Sequence, residues 1–194
     1  MNVLGVGLSK TGTFSLHTAL QKLGLNALHY DTQRLNRVLD GSDLSPDFRI
    51  YDDVDAVTDL PAAAFYDELL QAYPKAKAVL TIRDVDAWWE SIEKHFNRHY
   101  RLPAFNPFKR QDRIFRTSLR NYVYGSTRAT EFLYKKRYLE HNARVQTQVP
   151  AHRLLVMDIT AGEGWDKLAP FLGLPVPAIP FPHENKAALA YSHA

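Results

Sequence analysis

The sequence lacks cysteine altogether, and none of its apolar runs is long. The absence of cysteine among 194 residues excludes disulfides, thiolate metal sites and a cysteine nucleophile. No apolar run approaches the roughly 18 residues that a membrane-spanning helix needs. No charged leader with a cleavage site precedes the first strand-like residues. We therefore expect a cytoplasmic protein without a membrane span.

The excess of positive charge is small, at +3, but the basic residues are unevenly distributed. Residues 98–137 contain eleven lysines and arginines against two acidic residues. Such a block is either a solvated helical face or a positive wall beside an anionic ligand. Because no nucleic-acid-binding motif accompanies it, nucleic acid is not an expected partner.

Short apolar runs alternate with segments of helical periodicity along the chain. Runs typical of strands cover 3–8, 26–30, 54–58, 76–82 and 153–159, and helical patterns cover 16–23, 33–39, 61–73, 85–96, 127–149 and 164–173. This alternation predicts an α/β fold, a three-layer sandwich with a central parallel sheet. The length of 194 residues predicts a single domain, 1–194.

The segment 98–137 departs from this alternation. Residues 100–125 contain Pro103, Pro107 and many arginines, which predicts irregular structure before the helix at 127–149. We interpret 98–137 as a basic, mainly helical insertion that acts as a lid. Its aromatic residues would give an acceptor pocket an aromatic wall. They are Phe105, Phe108, Phe115, Tyr122, Tyr124, Phe132 and Tyr134.

A lysine-bearing turn, GLSKTGTFSLHTAL at residues 7–20, joins the first strand to a helix. The backbone N–H groups of residues 9–13, the helix start and Lys10 would together bind an anion, for which phosphate is the natural choice. The lysine precedes Gly12, so neither the dinucleotide fingerprint nor the ATP-type loop matches. An ordinary turn explains the glycine and threonine but not the lysine.

Two segments together resemble the sulfotransferases, a branch of the P-loop folds that use 3′-phosphoadenosine 5′-phosphosulfate (PAPS). SKTGTFSL (9–16) resembles their 5′-phosphosulfate loop, and TIRDVDAWWESI (81–92) resembles their 3′-phosphate segment. The resemblance covers nearly the whole chain and implies a P-loop NTPase-like sulfotransferase fold. It also implies donor-binding residues in both segments. These are Ser9, Lys10, Thr11, Gly12, Thr13, Phe14, Ser15, Arg83 and Ser91.

The second segment keeps the family's spacing, because Ser91 follows Arg83 by eight residues. Ser91 lies about two helical turns beyond Asp84, so a guanidinium and a hydroxyl can flank one phosphate. Two other interpretations stay open. Arg83 can form a surface ion pair with Asp84 or Asp86, and Ser91 can be a solvent-facing helix residue.

The resemblance implies that Lys10 stabilises the negative charge on the departing phosphate, with Ser9 helping to hold the lysine. The product would be adenosine 3′,5′-bisphosphate (PAP). No metal is expected, since a sulfuryl group carries less charge than a γ-phosphoryl group. The acceptor would be a hydroxyl of a small molecule, such as a lipid, phenol or sugar, or of a peptide.

The expected base is Asp59, in TDLP at 58–61, where cytosolic relatives carry histidine. Aspartate there is equally suited to cap a helix that begins near Pro61. His29, at the end of another short strand, is the reserve candidate for the base.

Other hypotheses are an ATP-dependent kinase, with Asp158 as its magnesium ligand, and an inactive nucleotide-binding relative. The pair His95 and His99 lacks a third ligand for a metal. One of the adjacent tryptophans at 88–89 is expected to be a core anchor, although an aromatic ring there could also stack on adenine. The family's C-terminal Arg-Lys-Gly is absent, so Lys186 or an arginine of the basic block would replace it.

Overall fold

The computed structural model describes residues 1–97 and 110–183. Its centre is a five-stranded sheet in the order β2-β3-β1-β4-β5. The strands are β1 (Val3–Gly5), β2 (Ala27–His29), β3 (Ala56–Thr58), β4 (Lys77–Thr81) and β5 (Leu154–Met157). All four pairings are parallel. The predicted parallel sheet is confirmed, and each strand is shorter than its apolar run suggests.

Most of the helices lie in the segments for which the periodicity predicts them. They are α1 (Thr13–Lys22), α2 (Asn36–Leu39), α3 (Tyr66–Ala72), α4 (Val85–Asn97), α5 (Arg110–Tyr124), α6 (Glu131–Gln148) and α7 (Trp165–Leu172). Short 3-10 turns occupy Ala62–Phe65, Ala151–Arg153 and Ile159–Ala161. The helix predicted over 61–73 is therefore a 3-10 turn followed by α3.

The strands bury opposite sides against different helices, which gives the three layers. Alternate residues of a strand face opposite sides of the sheet. Val3 belongs to a cluster with residues of α1 and α7, whereas Leu4 packs with residues of α3 and α6. Val57 and Ala56 of β3 divide in the same way. The sheet is covered on both faces, as predicted.

The irregular structure predicted for 100–125 is wrong for its described part, because residues 110–124 form α5. Phe115 and Leu119, one helical turn apart, are both buried and pack with Trp88 and Phe96. Their burial supplies the stabilisation that the arginine-rich sequence does not suggest. Residues 98–109, including Phe105 and Phe108, lie outside the described residues, as does Lys186.

A histidine of α6 ties that helix to the chain just after β1. The Nε2 of His141 donates a hydrogen bond of 2.7 Å to the carbonyl oxygen of Val6. Its ring packs edge-on against Tyr66. Burial lowers the pKa of His141 to about 4; the Val6 carbonyl opposes this shift, and the charge of Arg144 adds to it.

We expect acid to destabilise the fold through His141. Its pKa is about 4 in the folded protein against 6.5 ordinarily, so the unfolded chain takes up the proton first as the pH falls. The stabilisation is complete above pH 6.5 and is lost between pH 6.5 and 4, at a cost of about 3 kcal/mol. Urea unfolding at pH 7 and pH 4 measures the loss.

His141→Gln is the matched control, since its amide can still donate to Val6 but does not titrate. The free energy of unfolding of this variant should fall less between the two pH values. Equal losses in the two proteins would contradict the assignment.

Candidate functional site

The loop between β1 and α1 has the backbone of an anion cradle. Lys10 and Gly12 adopt left-handed conformations, with φ of 75° and 94°. In such an alternating turn, successive N–H groups point toward one concavity. No hydrogen bond joins a backbone N–H of residues 9–13 to another described residue. The side chain of Thr11 holds the loop against the end of β4. Its hydroxyl hydrogen-bonds the Leu8 carbonyl and the Thr81 hydroxyl, each at 2.7 Å.

Lys10 projects from this loop as a half-buried cation. Burial lowers its pKa, the carboxylate of Asp59 raises it, and the charge of Arg83 lowers it again. Within residues 1–97 and 110–183, no side chain or carbonyl hydrogen-bonds its ammonium group, and no carboxylate lies within ion-pair distance. A half-buried cation beside a second cation favours an anionic ligand.

Asp59 follows β3 and turns its buried carboxylate toward the same loop, with φ of 69°. Oδ1 accepts hydrogen bonds from the Ser9 hydroxyl at 2.5 Å and from the Leu60 N–H at 2.7 Å. Oδ2 accepts one from the Thr13 hydroxyl at 2.8 Å. The expectation that Ser9 holds the lysine is wrong, because its hydroxyl donates to Asp59.

The capping role considered for Asp59 is also wrong. The 3-10 turn Ala62–Phe65 begins after Pro61 and has no side-chain cap. The carboxylate of Asp59 is directed to the loop after β1, which lies beside β3 in the sheet. Two of its three hydrogen bonds come from Ser9 and Thr13 of that loop.

His29, at the end of β2, lies beside Asp59. Its Nε2 is 3.5 Å from Asp59 Oδ2, and its Nδ1 is 3.0 Å from the Thr58 hydroxyl. Burial lowers the pKa of His29, and the Asp59 carboxylate raises it. The rings of Phe14 and His17 pack against it at centroid distances of 5.0 and 5.4 Å. The two candidate bases therefore form one pair.

Arg83 follows β4 and reaches the loop from the other side. Its Nη1 makes a long contact of 3.5 Å with the carbonyl oxygen of Lys10. The surface ion pair considered for Arg83 is wrong: Asp84 instead caps α4 by accepting from the Ala87 N–H at 2.9 Å, and Asp86 pairs with Lys135 at 2.6 Å. Asp84 therefore bonds the first turn of its own helix and Asp86 bonds a lysine of α6, and the Arg83 guanidinium contacts the loop instead.

The remaining predicted donor residues lie in α1 and α4. Thr13 and Ser15 are buried in the first turn of α1, and Phe14 between them is 39% exposed. Ser91 is half-buried in α4. The described contacts include no hydrogen bond between Ser91 and Arg83 or the loop.

Sequence reasoning missed Tyr138 and the role of Trp88. Trp88 is fully buried, so it is the expected core anchor, and its Nε1 donates to the Ser9 carbonyl at 3.0 Å. The hydroxyl of Tyr138 bonds both the N–H and the carbonyl of Arg83. Only the apolar periodicity of α6 marks Tyr138 in the sequence, and it signals burial rather than a contact with the site.

Asp158, the candidate magnesium ligand, follows β5. Its Oδ1 accepts from the backbone N–H and the hydroxyl of Thr160, at 2.8 and 2.6 Å, and from the Ala161 N–H at 3.0 Å. Among residues 1–97 and 110–183, no group of three or more histidine, aspartate or glutamate residues is placed to hold a metal ion. His99 lies outside the described residues.

A comparison with known families identifies the chain. The model of the sulfotransferase domain matches residues 2–190. The chain belongs to the sulfotransferase family. A relative of this sulfotransferase is Ava biosynthesis cluster protein M of Aspergillus versicolor, 31% identical over 220 residues that cover 94% of this chain and 80% of the relative.

Family membership confirms the resemblance seen in the two motif segments. In the part of this sulfotransferase that the structure describes, each helix is too short or too polar to span a membrane.

Proposed function

We propose that this sulfotransferase moves the sulfuryl group of PAPS to the hydroxyl of a small-molecule acceptor and releases PAP. The observation that carries the proposal is the meeting of Lys10, Arg83 and the amides of residues 9–13 at one loop, with Asp59 beside them. Two cations and a cradle of N–H groups match a ligand with phosphate at both ends of a ribose.

The reaction forms a bond between the acceptor oxygen and sulfur and breaks the bond between sulfur and the bridging oxygen of the 5′-phosphate. Negative charge grows on that bridging oxygen. The ammonium of Lys10 and the loop N–H groups, held in a half-buried site, stabilise this charge without reorganising. Arg83, with Ser91 further along α4, binds the 3′-phosphate.

The acceptor loses its proton to the pair of Asp59 and His29. Asp59 is the base in this proposal, and three hydrogen bonds fix its carboxylate. The Nε2 of His29 lies 3.5 Å from Asp59 Oδ2. It can take the proton from this carboxyl group once the distance shortens to that of a hydrogen bond. The Thr13 hydroxyl links the base to the donor loop. The base and the loop are therefore held by one hydrogen-bond network.

The acceptor itself is proposed only as a class. The fungal relative is named for a biosynthesis cluster, which supports a small-molecule hydroxyl as the acceptor. The rings of Phe14 and His17 beside His29 supply apolar surface near the base. Peptide hydroxyls are a less favoured acceptor in this proposal.

Calorimetry with PAP and with ADP tests the proposal directly. PAP carries the 3′-phosphate that Arg83 is placed to bind, so we expect it to bind at least about tenfold more tightly than ADP, without added magnesium. Tighter binding of magnesium-ADP would favour the kinase hypothesis and Asp158 as metal ligand. PAP binding without turnover of any hydroxyl acceptor would identify an inactive relative.

A further inference from the structure

We propose that Trp88 of α4 and Tyr138 of α6 are positioning residues that hold the two halves of the donor site in register. The inference rests on the function proposed above. Both side chains are buried, with 0% and 1% of their surface exposed. Their rings stack with centroids 4.3 Å apart and an angle of 12° between the planes. This pair is termed the aromatic clamp.

One end of the aromatic clamp fixes the loop for the 5′ end. The Nε1 of Trp88 donates a hydrogen bond of 3.0 Å to the carbonyl oxygen of Ser9. In a trans peptide unit, the carbonyl and the N–H point in opposite directions. Holding the Ser9 carbonyl toward α4 therefore directs the N–H of Lys10 away from α4, on the opposite side of that peptide unit.

The other end fixes Arg83. The hydroxyl of Tyr138 accepts a hydrogen bond from the backbone N–H of Arg83 and donates one to its carbonyl oxygen, both at 2.8 Å. The backbone N–H and carbonyl of Arg83 are thus both held by one side chain. This fixes the backbone position from which the guanidinium side chain extends.

These contacts form a continuous chain that begins and ends in the loop between β1 and α1. From the Ser9 carbonyl they run through Trp88, Tyr138 and Arg83 to the carbonyl of Lys10, the next residue of the loop, which the Arg83 guanidinium contacts at 3.5 Å. A displacement of either half strains the other because packed interiors deform little. The distance between the cations for the two phosphates is consequently set by α4 and α6.

The same helix offers a matched control. Tyr134 lies one turn before Tyr138, is equally buried, and stacks on Tyr124 with the same 4.3 Å and 12°. Its hydroxyl donates to the carbonyl of Ser126 at 2.7 Å. Tyr134→Phe therefore removes a buried hydroxyl from an equivalent stacked pair without disturbing Arg83.

The test compares wild type, Tyr138→Phe and Tyr134→Phe by calorimetry with PAP and with AMP, which differs from PAP only by the 3′-phosphate. Tyr138→Phe keeps the ring stack but releases the backbone of Arg83. We expect its affinity for PAP to fall about three- to tenfold and its affinity for AMP by less than about twofold. Tyr134→Phe should leave the ratio of the two affinities unchanged.

Melting temperatures separate this effect from general destabilisation, since each tyrosine variant loses a buried hydroxyl. Equal affinity ratios in wild type and Tyr138→Phe would overturn the aromatic clamp while leaving the proposed function intact. A wild-type protein that does not prefer PAP to AMP would overturn both. Trp88→Phe, which loses the bond to Ser9, should weaken both ligands to a similar extent; weakening of PAP alone would contradict the assignment of this end to the 5′ loop.

Discussion

Lys10→Ala is expected to lower the rate of sulfuryl transfer by about two to three orders of magnitude. The ammonium group is the charged donor of the loop, and removing one such donor from a water-poor site typically lowers kcat by about 10²–10³. The affinity for PAP should fall as well, because Lys10 also contacts the ground-state phosphate in this proposal. Initial rates with saturating PAPS, together with calorimetry for PAP, measure the two effects separately.

The fold should tolerate this substitution. Lys10 is half-buried, its pKa is lowered by burial, and no described residue hydrogen-bonds its ammonium group, so removing the cation also removes a desolvation cost. Lys22→Ala, at the exposed far end of α1, is the matched control for losing a lysine. Wild-type kcat in Lys10→Ala would exclude the lysine from the reaction.

Asp59→Asn is expected to lower kcat by about 10²–10⁴, the range associated with loss of a general base. The amide is nearly the same size as the carboxylate, and its oxygen can still accept from Ser9 and from the Leu60 N–H. The Thr13 hydroxyl can accept from the new amide nitrogen. The cradle should therefore keep its shape, and the affinity for PAP should change by less than about threefold.

The rate and the affinity together decide what Asp59 does. A large fall in kcat with intact binding is the signature of a residue needed in the transition state. Asp55→Asn, at the opposite end of β3, where the carboxylate accepts from the Asn26 N–H at 2.9 Å, controls for the loss of an acidic residue. Full activity in Asp59→Asn would move the base to His29, and a large loss of PAP affinity would make Asp59 an organiser of the loop.

The errors in the sequence interpretation share a physical origin. Ser9 and Asp59 are 50 residues apart, and their hydrogen bond exists because β1 and β3 are neighbours in the sheet. His29 reaches Asp59 because it pairs with Thr58 in the register of β2 and β3. Strand order and register depend on packing across the whole sheet, which local propensity does not encode.

Helix α5 was missed for a related reason. Its prediction as irregular structure followed from Pro103 and Pro107, both before its first residue, and from a high density of arginines. What stabilises α5 is the burial of Phe115 and Leu119 against Trp88, a residue of α4. Most of a helix's stability in a protein comes from such an apolar face, so composition alone is a weak guide.

The sequence by itself determined the α/β class and the family resemblance, and it predicted an anion-binding loop around Lys10 with Arg83 at the same site. These follow from periodicity and from short contiguous motifs, whose physics is local. Only the tertiary structure decided that Asp59 and His29 form one pair and that Tyr138 holds Arg83. Those contacts join residues on separate strands and helices, so they exist only once the sheet order and the packing of α4 against α6 are fixed.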